Sequence, residues 1–185
     1  MKKLFFLLLV IALPFVKANA QTVPTADEVL KTASAKAAKE KKNVFVLFHA
    51  SWCGWCHKMD TVFAKPGVKE LIGKSYVVEH LTVKESPQNK HLENPGAEAL
   101  MAKYNGDKSG IPFWLVFDPT GKLIADSFMR PAGADLNSAG DNIGCPATDE
   151  EVAAFEAVLK KSTKLDEKQI AQISAAFRAA SPKRS

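Results

Sequence analysis

The spacing of apolar positions changes several times along the chain, and each change marks an element. Leu30, Ala33 and Ala37 recur at helical spacing behind Thr25-Ala26-Asp27-Glu28, where Thr and Glu stand three apart as in a capping box. This predicts a helix to about Lys41, ended by Asn43. Val44 to His49 is a short, almost uniformly apolar run, the pattern of a central strand buried on both faces. Cys56 to Phe63 suits a helix, Lys65-Pro66-Gly67 interrupts it, and a second helical piece reaches about Ile72. Tyr76 to Val83 reads as the next strand, Glu85 to Asn94 as a polar irregular stretch, and Gly96 to Tyr104 as a helix.

The second half has its own rhythm. Phe113 to Phe117 and Lys122 to Ser127 predict a hairpin around Asp118-Pro119-Thr120-Gly121, whose Pro and Gly suit a tight turn. Arg130 to Ala147 is rich in Gly, Pro, Asn and Asp, which fits an ordered surface loop or a mobile lid. Thr148 with Glu151 caps a helix to about Lys161, and Asp166 with Gln169 starts one ending near Ala180. Ile170, Ile173 and Phe177 form one stripe of that last helix. The stripe fits either a cover for the sheet or a dimer interface. The final Ser-Pro-Lys-Arg-Ser is expected to fray. The elements alternate as in an α/β domain with a central mixed sheet, an N-terminal helix and a C-terminal helical extension.

A chain of 185 residues suits one such domain, here residues 21–185, because the first twenty residues have another character. Lys2 and Lys3 precede an apolar run from Leu4 to Val16, and Ala18-Asn19-Ala20 offers small residues to a signal peptidase. The expected mature chain starts at Gln21 and is periplasmic or secreted. The apolar run is too short to cross a hydrocarbon core of ~30 Å as a helix. No cysteine at the cleavage point accepts a lipid, so no stable membrane anchor is expected. Losing Lys2, Lys3 and Lys17 leaves twenty-two basic side chains against twenty acidic ones. That near-neutral balance, without an aromatic-interleaved basic patch, argues against a nucleic-acid partner. Lys36 to Lys42 reads as the wet face of a helix.

Three cysteines are too few for a disulfide scaffold and odd in number, so their spacing carries the argument. Trp52-Cys53-Gly54-Trp55-Cys56-His57 follows a predicted buried strand and runs into a helix. Cys53 then sits at a helix N-terminus, where free N–H groups and the helix dipole stabilise a thiolate. Cys56, deeper in the helix, is spaced to resolve a mixed disulfide.

Phe48-His49-Ala50-Ser51-Trp52-Cys53, the CxxC pair and Ile111-Pro112 just before a hairpin strand together resemble the thioredoxin superfamily over about 27–161, and exported bacterial members most of all. The resemblance implies a thioredoxin-like fold and a thiol–disulfide oxidoreductase with no cofactor beyond the Cys53–Cys56 pair. It also implies a cis bond at Ile111-Pro112, with the Ile111 backbone pairing with an extended substrate. Protein thiols and disulfides are the implied partners, with a membrane electron-donating reductase as a possible source of electrons. Trp52, Gly54 and Trp55 are expected to shape the substrate surface. Where typical thioredoxins carry a buried acid six residues before the nucleophile, this chain has Leu47. Glu79 or His80 could replace it as proton acceptor, with Glu79 the first choice, and His57 could tune the pair. Gly54-Trp55 replaces the family's usual Gly-Pro.

Other chemistries compete. Cys53 to His57 satisfies the CxxCH pattern of haem c attachment in an electron-transfer protein, and Cys53, Cys56 and histidines could bind copper or zinc. The strand before the motif and the Ile-Pro after it favour the dithiol reading. Cys145 is expected to be a half-buried spectator or an auxiliary thiol. His49 is expected to be a satisfied core histidine, and Trp114 and Phe113 to be core.

Overall fold

The apolar run Val44 to Phe48 is fully buried because it forms the inner part of β1 (Asn43–His49), a strand covered by helices on both faces. The computed structural model describes residues 22–131, 133–136 and 138–181. The expected signal peptide over 1–20 and the tail from Pro182 onward lie outside the described residues. The element order continues with β2 (Tyr76–Thr82), β3 (Phe113–Phe117) and β4 (Leu123–Asp126). These form one sheet in the order β2-β1-β3-β4, with β1 parallel to β2 and antiparallel to β3, and β3 antiparallel to β4. The sheet is therefore mixed.

Two apolar layers sandwich the sheet. Val44, Val46 and Phe48 of β1 and Val77 and Leu81 of β2 pack with α1 (Ala26–Glu40) and α4 (Ala97–Lys103). On the other face, Phe45 and Leu47 join Tyr76 and Trp114. There they meet α2 (Gly54–Phe63), α3 (Val68–Ser75), α5 (Asp149–Ser162) and α6 (Glu167–Ala180). Strict alternation along the strands sends successive side chains to opposite layers. Phe45 stacks on Trp114 with ring centroids 5.3 Å apart, and Phe155 meets both Trp114 and Phe177 edge to face. The Ile170, Ile173 and Phe177 stripe is buried against α2, α3 and α5 in this layer, with Phe177 meeting Phe63 and Phe155 edge to face.

The helix starts follow the sequence. Thr25, Thr148 and Asp166 each accept the N–H three residues on, completing three capping boxes. Asn43 does not end α1 as expected. Lys41 closes that helix in the left-handed conformation at φ 56°, and Asn43 opens β1 while its amide donates to the Ser162 carbonyl at 2.7 Å. The segment after β4, where a loop or lid was expected, contains a small ribbon, β5 (Phe128–Met129) with β6 (Asp141–Asn142). The Arg130 guanidinium anchors it through two bonds to the nearly buried Asp126 carboxylate, at 2.7 and 2.8 Å, and further bonds to the carbonyls of Leu136 and Ser138. No helix among the described residues is long and apolar enough to cross a membrane.

Candidate active site

β1 ends at His49, a tight turn through Ala50 and Ser51 follows, and Cys53 becomes the N-cap of α2. Its N–H returns to the Ala50 carbonyl at 3.0 Å. The Cys53 sulfur takes the place of a capping oxygen, accepting the Cys56 N–H at 3.1 Å. Cys53 and Cys56 form a disulfide across the first helical turn. Cys53 is 3% exposed and Cys56 is fully buried, so the N-terminal sulfur is the one nearer the surface.

The Ile111-Pro112 bond is cis, and Ile111 packs against the cluster of Ala50, Cys53 and Cys56. The Cys53 sulfur lies 3.6 Å from the Ile111 carbonyl oxygen. Sequence positions 58 residues apart thus meet at one sulfur. Trp52 and Trp55 flank the site and are 60% and 44% exposed. The Trp52 indole N–H donates to the Lys84 carbonyl at 2.9 Å, and the Lys58 ammonium sits 4.5 Å over the Trp55 ring. At Gly54 a side chain would meet open space, so that position faces outward from the disulfide.

Glu79 does not face Cys56. Its β2 neighbours Val77 and Leu81 pack in the α1 and α4 layer, and by alternation Glu79 projects there too, across the sheet from α2. His80 projects the other way. Its ring nitrogen is 2.8 Å from an Asp60 oxygen, and Asp60 lies one turn after Cys56 on α2. His80 is also the register partner of Leu47, which faces the α2 layer. His49 completes this polar group, its ring centroid 5.0 Å from that of His80 and its Nε2 3.2 Å from the Thr82 hydroxyl. Burial first, and then the neighbouring His80, hold the His49 pKa below the usual imidazole range.

His57 is exposed, with its Nε2 2.8 Å from the Ser51 carbonyl oxygen, where it pins the turn that carries Cys53. The same turn is held by a residue that sequence reasoning missed. Glu85 accepts from the Ser51 N–H and from the Ser51 hydroxyl at 2.8 Å, and the backbone bond in particular holds its carboxyl below the usual range. A lone glutamate in a polar stretch 34 positions away carries no pattern that could have flagged it.

Cys145 is a free, buried thiol, and burial pushes it up to about 12. It lines a shallow groove with Trp55, Ile111, Pro112, Asn142 and Glu151. Among the described residues no group of three or more His, Cys, Asp or Glu side chains is placed to hold a metal ion.

A family model described as thioredoxin-like matches residues 25–119, just over half of the chain. The chain belongs to the thioredoxin-like family. Among solved structures, this thioredoxin-like protein is similar to the disulphide isomerase from Xylella fastidiosa Temecula1, at 21% identity and a TM-score of 0.50, over 81% of this chain and 98% of that one. It is also similar to the DsbH oxidoreductase, at 21% identity and a TM-score of 0.43, over 84% and 92% of the two chains. No curated protein matches it in sequence. The thioredoxin-like assignment agrees with the mixed sheet, the cis Ile111-Pro112 bond and the CxxC disulfide at the start of α2.

Proposed function

We propose that this protein is a thiol–disulfide oxidoreductase that reduces disulfides of exported proteins. The observation that carries the reading is the Cys53 sulfur at the α2 N-terminus. It accepts the Cys56 N–H and lies against the Ile111 backbone, with Cys56 enclosed behind it. An amide donor and the helix dipole favour the thiolate, the species that attacks a disulfide.

In the reduced protein, the Cys53 thiolate attacks one sulfur of a substrate disulfide, forming a mixed disulfide and releasing the other substrate sulfur as a thiolate. Cys56 then loses its proton and attacks the Cys53 sulfur. That step regenerates the Cys53–Cys56 bond and releases the second substrate thiolate, so two electrons pass from the pair to the substrate. The substrate segment lies extended along Ile111-Pro112, its flanks on the exposed Trp52 and Trp55 rings. Asp60, one turn beyond Cys56 on α2 and bonded to His80, is the group this reading assigns to take the Cys56 proton. Asp60→Asn should then slow resolution while the first attack keeps its rate, and equal rates in both steps would remove Asp60 from the mechanism. Cys145, with its suppressed thiolate, is a spectator in this cycle.

The pair is re-reduced by an external dithiol donor, of which a membrane reductase is the expected kind. Export rests on Lys2, Lys3, the apolar run Leu4 to Val16 and Ala18-Asn19-Ala20. The decisive experiment uses single cysteine variants and a protein disulfide substrate. Cys53→Ser should abolish exchange, and Cys56→Ser should accumulate a mixed disulfide visible on non-reducing gels. Undiminished exchange by Cys53→Ser would sink the reading.

A further inference from the structure

The loop that presents Ile111 to Cys53 has little regular structure of its own, yet its carbonyls are tied down from two sides. The Lys84 ammonium donates to the Asp107 and Ser109 carbonyls at 3.1 and 2.8 Å. The Asn142 amide NH2 donates to the Gly110 and Pro112 carbonyls at 2.9 and 3.1 Å. Four carbonyls of this loop are therefore turned toward a brace. Ile111, between the two Asn142 contacts, is left out of it. Its carbonyl faces the Cys53 sulfur, and its N–H has no hydrogen-bond partner among the described residues.

Asn142 is itself held in one orientation. Its Oδ1 accepts from the Ser127 hydroxyl at 2.7 Å and from the Gly144 N–H at 3.2 Å, so reversing the amide would set donors against donors and acceptors against acceptors. Ser127 is fully buried and its Oγ accepts the Trp114 N–H, which ties Asn142 to β3. The Trp114 indole N–H donates to the Gly144 carbonyl at 2.9 Å, docking the same strap to the core. Gly144 has φ +57°, and a side chain there would come within 3.2 Å of the Pro112 carbonyl oxygen, so the strap runs close behind the loop.

We propose that Asn142 and Lys84 are positioning residues that hold the Ile111 backbone open for pairing with an extended substrate. Neither touches the reacting sulfurs. They turn the flanking carbonyls inward, which leaves the Ile111 N–H and C=O as the free pair facing the substrate path. The proposal rests on the exchange reading above and goes further by assigning substrate alignment to the β6 strap and to Lys84, two residues after β2.

The test compares wild type with Asn142→Asp, which keeps size and acceptor but loses both donors, and with Lys84→Met, which keeps the stem and loses the ammonium. Each is assayed with a disulfide-bonded peptide and, separately, for reduction of its own Cys53–Cys56 bond by dithiothreitol. KM for the peptide should rise about tenfold, the scale of one backbone hydrogen-bond pair. The peptide kcat, the dithiothreitol rate and the reduction potential should stay at wild-type values. An unchanged peptide KM in the variants overturns the proposal, as does a parallel change in potential and dithiothreitol rate, which would make the brace part of the redox centre itself. If Asn142→Asp does not fold, Lys84→Met alone decides. A wild-type protein that does not exchange with the peptide would instead refute the parent reading.

Discussion

Reducing the Cys53–Cys56 disulfide should lower the stability of the fold by about 1 kcal/mol, as the difference of two opposing effects. The bond closes a loop from Cys53 to Cys56. In the chain-entropy account, a four-residue loop removes about 6 cal/mol/K from the unfolded ensemble, or ~1.9 kcal/mol at room temperature. Reduction returns that entropy to the unfolded chain. Against it stands the gain of a Cys53 thiolate that caps α2 and accepts the Cys56 N–H, on the order of 1 kcal/mol. The net sign favours the oxidised protein. By a thermodynamic cycle, the folded pair then has a potential ~20 mV below that of the same pair in the unfolded chain, since 1.4 kcal/mol corresponds to about 30 mV. Urea unfolding of the oxidised and dithiothreitol-reduced forms at one pH measures the difference directly. A Cys53→Ala, Cys56→Ala double variant, which lacks the bond, the thiolate and any capping oxygen, should fall ~2 kcal/mol below the oxidised protein. A reduced form more stable than the oxidised one would mean that thiolate stabilisation outweighs loop closure. The pair would then be an oxidant, and the reductant reading would fail.

Two further outcomes follow from groups around the site. Arg130→Ala leaves the Asp126 carboxylate, 1% exposed, without its cation, and should cost about 3–5 kcal/mol in urea unfolding; a loss near zero would show that the β5–β6 ribbon is not anchored there. The folded-state pKa of His49 lies below its unfolded value of 6.5, so on acidification the unfolded chain takes up a proton before the folded one does. Stability should therefore fall as pH drops below about 6.5 and stop falling, for this group, below the depressed folded value. In a His49→Gln variant the slope of melting temperature against pH should be shallower in that window, and an unchanged slope would refute the assignment.

Much of the site is legible in the sequence because its chemistry is local. Cys53 and Cys56 lie within one helical turn, and the strand before them and the capping residues of the helices are short-range patterns that hydrophobic spacing and backbone hydrogen bonding enforce. The same reasoning marked Phe45 and Leu47 as buried and Ile170, Ile173 and Phe177 as one face. It failed where the choice depended on which layer a strand residue enters. Glu79 and His80 are adjacent, and only the packing of Val77 and Leu81 under α1 and α4 shows that Glu79 points away from Cys56 while His80 meets Asp60. It failed as well in the segment after β4, where turn-forming residues concealed the β5–β6 ribbon.

The sequence by itself determined the CxxC pair, its place at the mouth of a buried strand, and the succession of helices and strands, because each depends on neighbours a few positions apart. Only the tertiary structure decided which distant side chains gather around that pair: Glu85 on the Ser51 turn, His80 against Asp60 of α2, and Lys84 and Asn142 behind the Ile111 loop. Those contacts link positions between 20 and 34 apart. A single polar residue at such a separation has no periodicity to announce it, and only the folded sheet brings its donors and acceptors into reach.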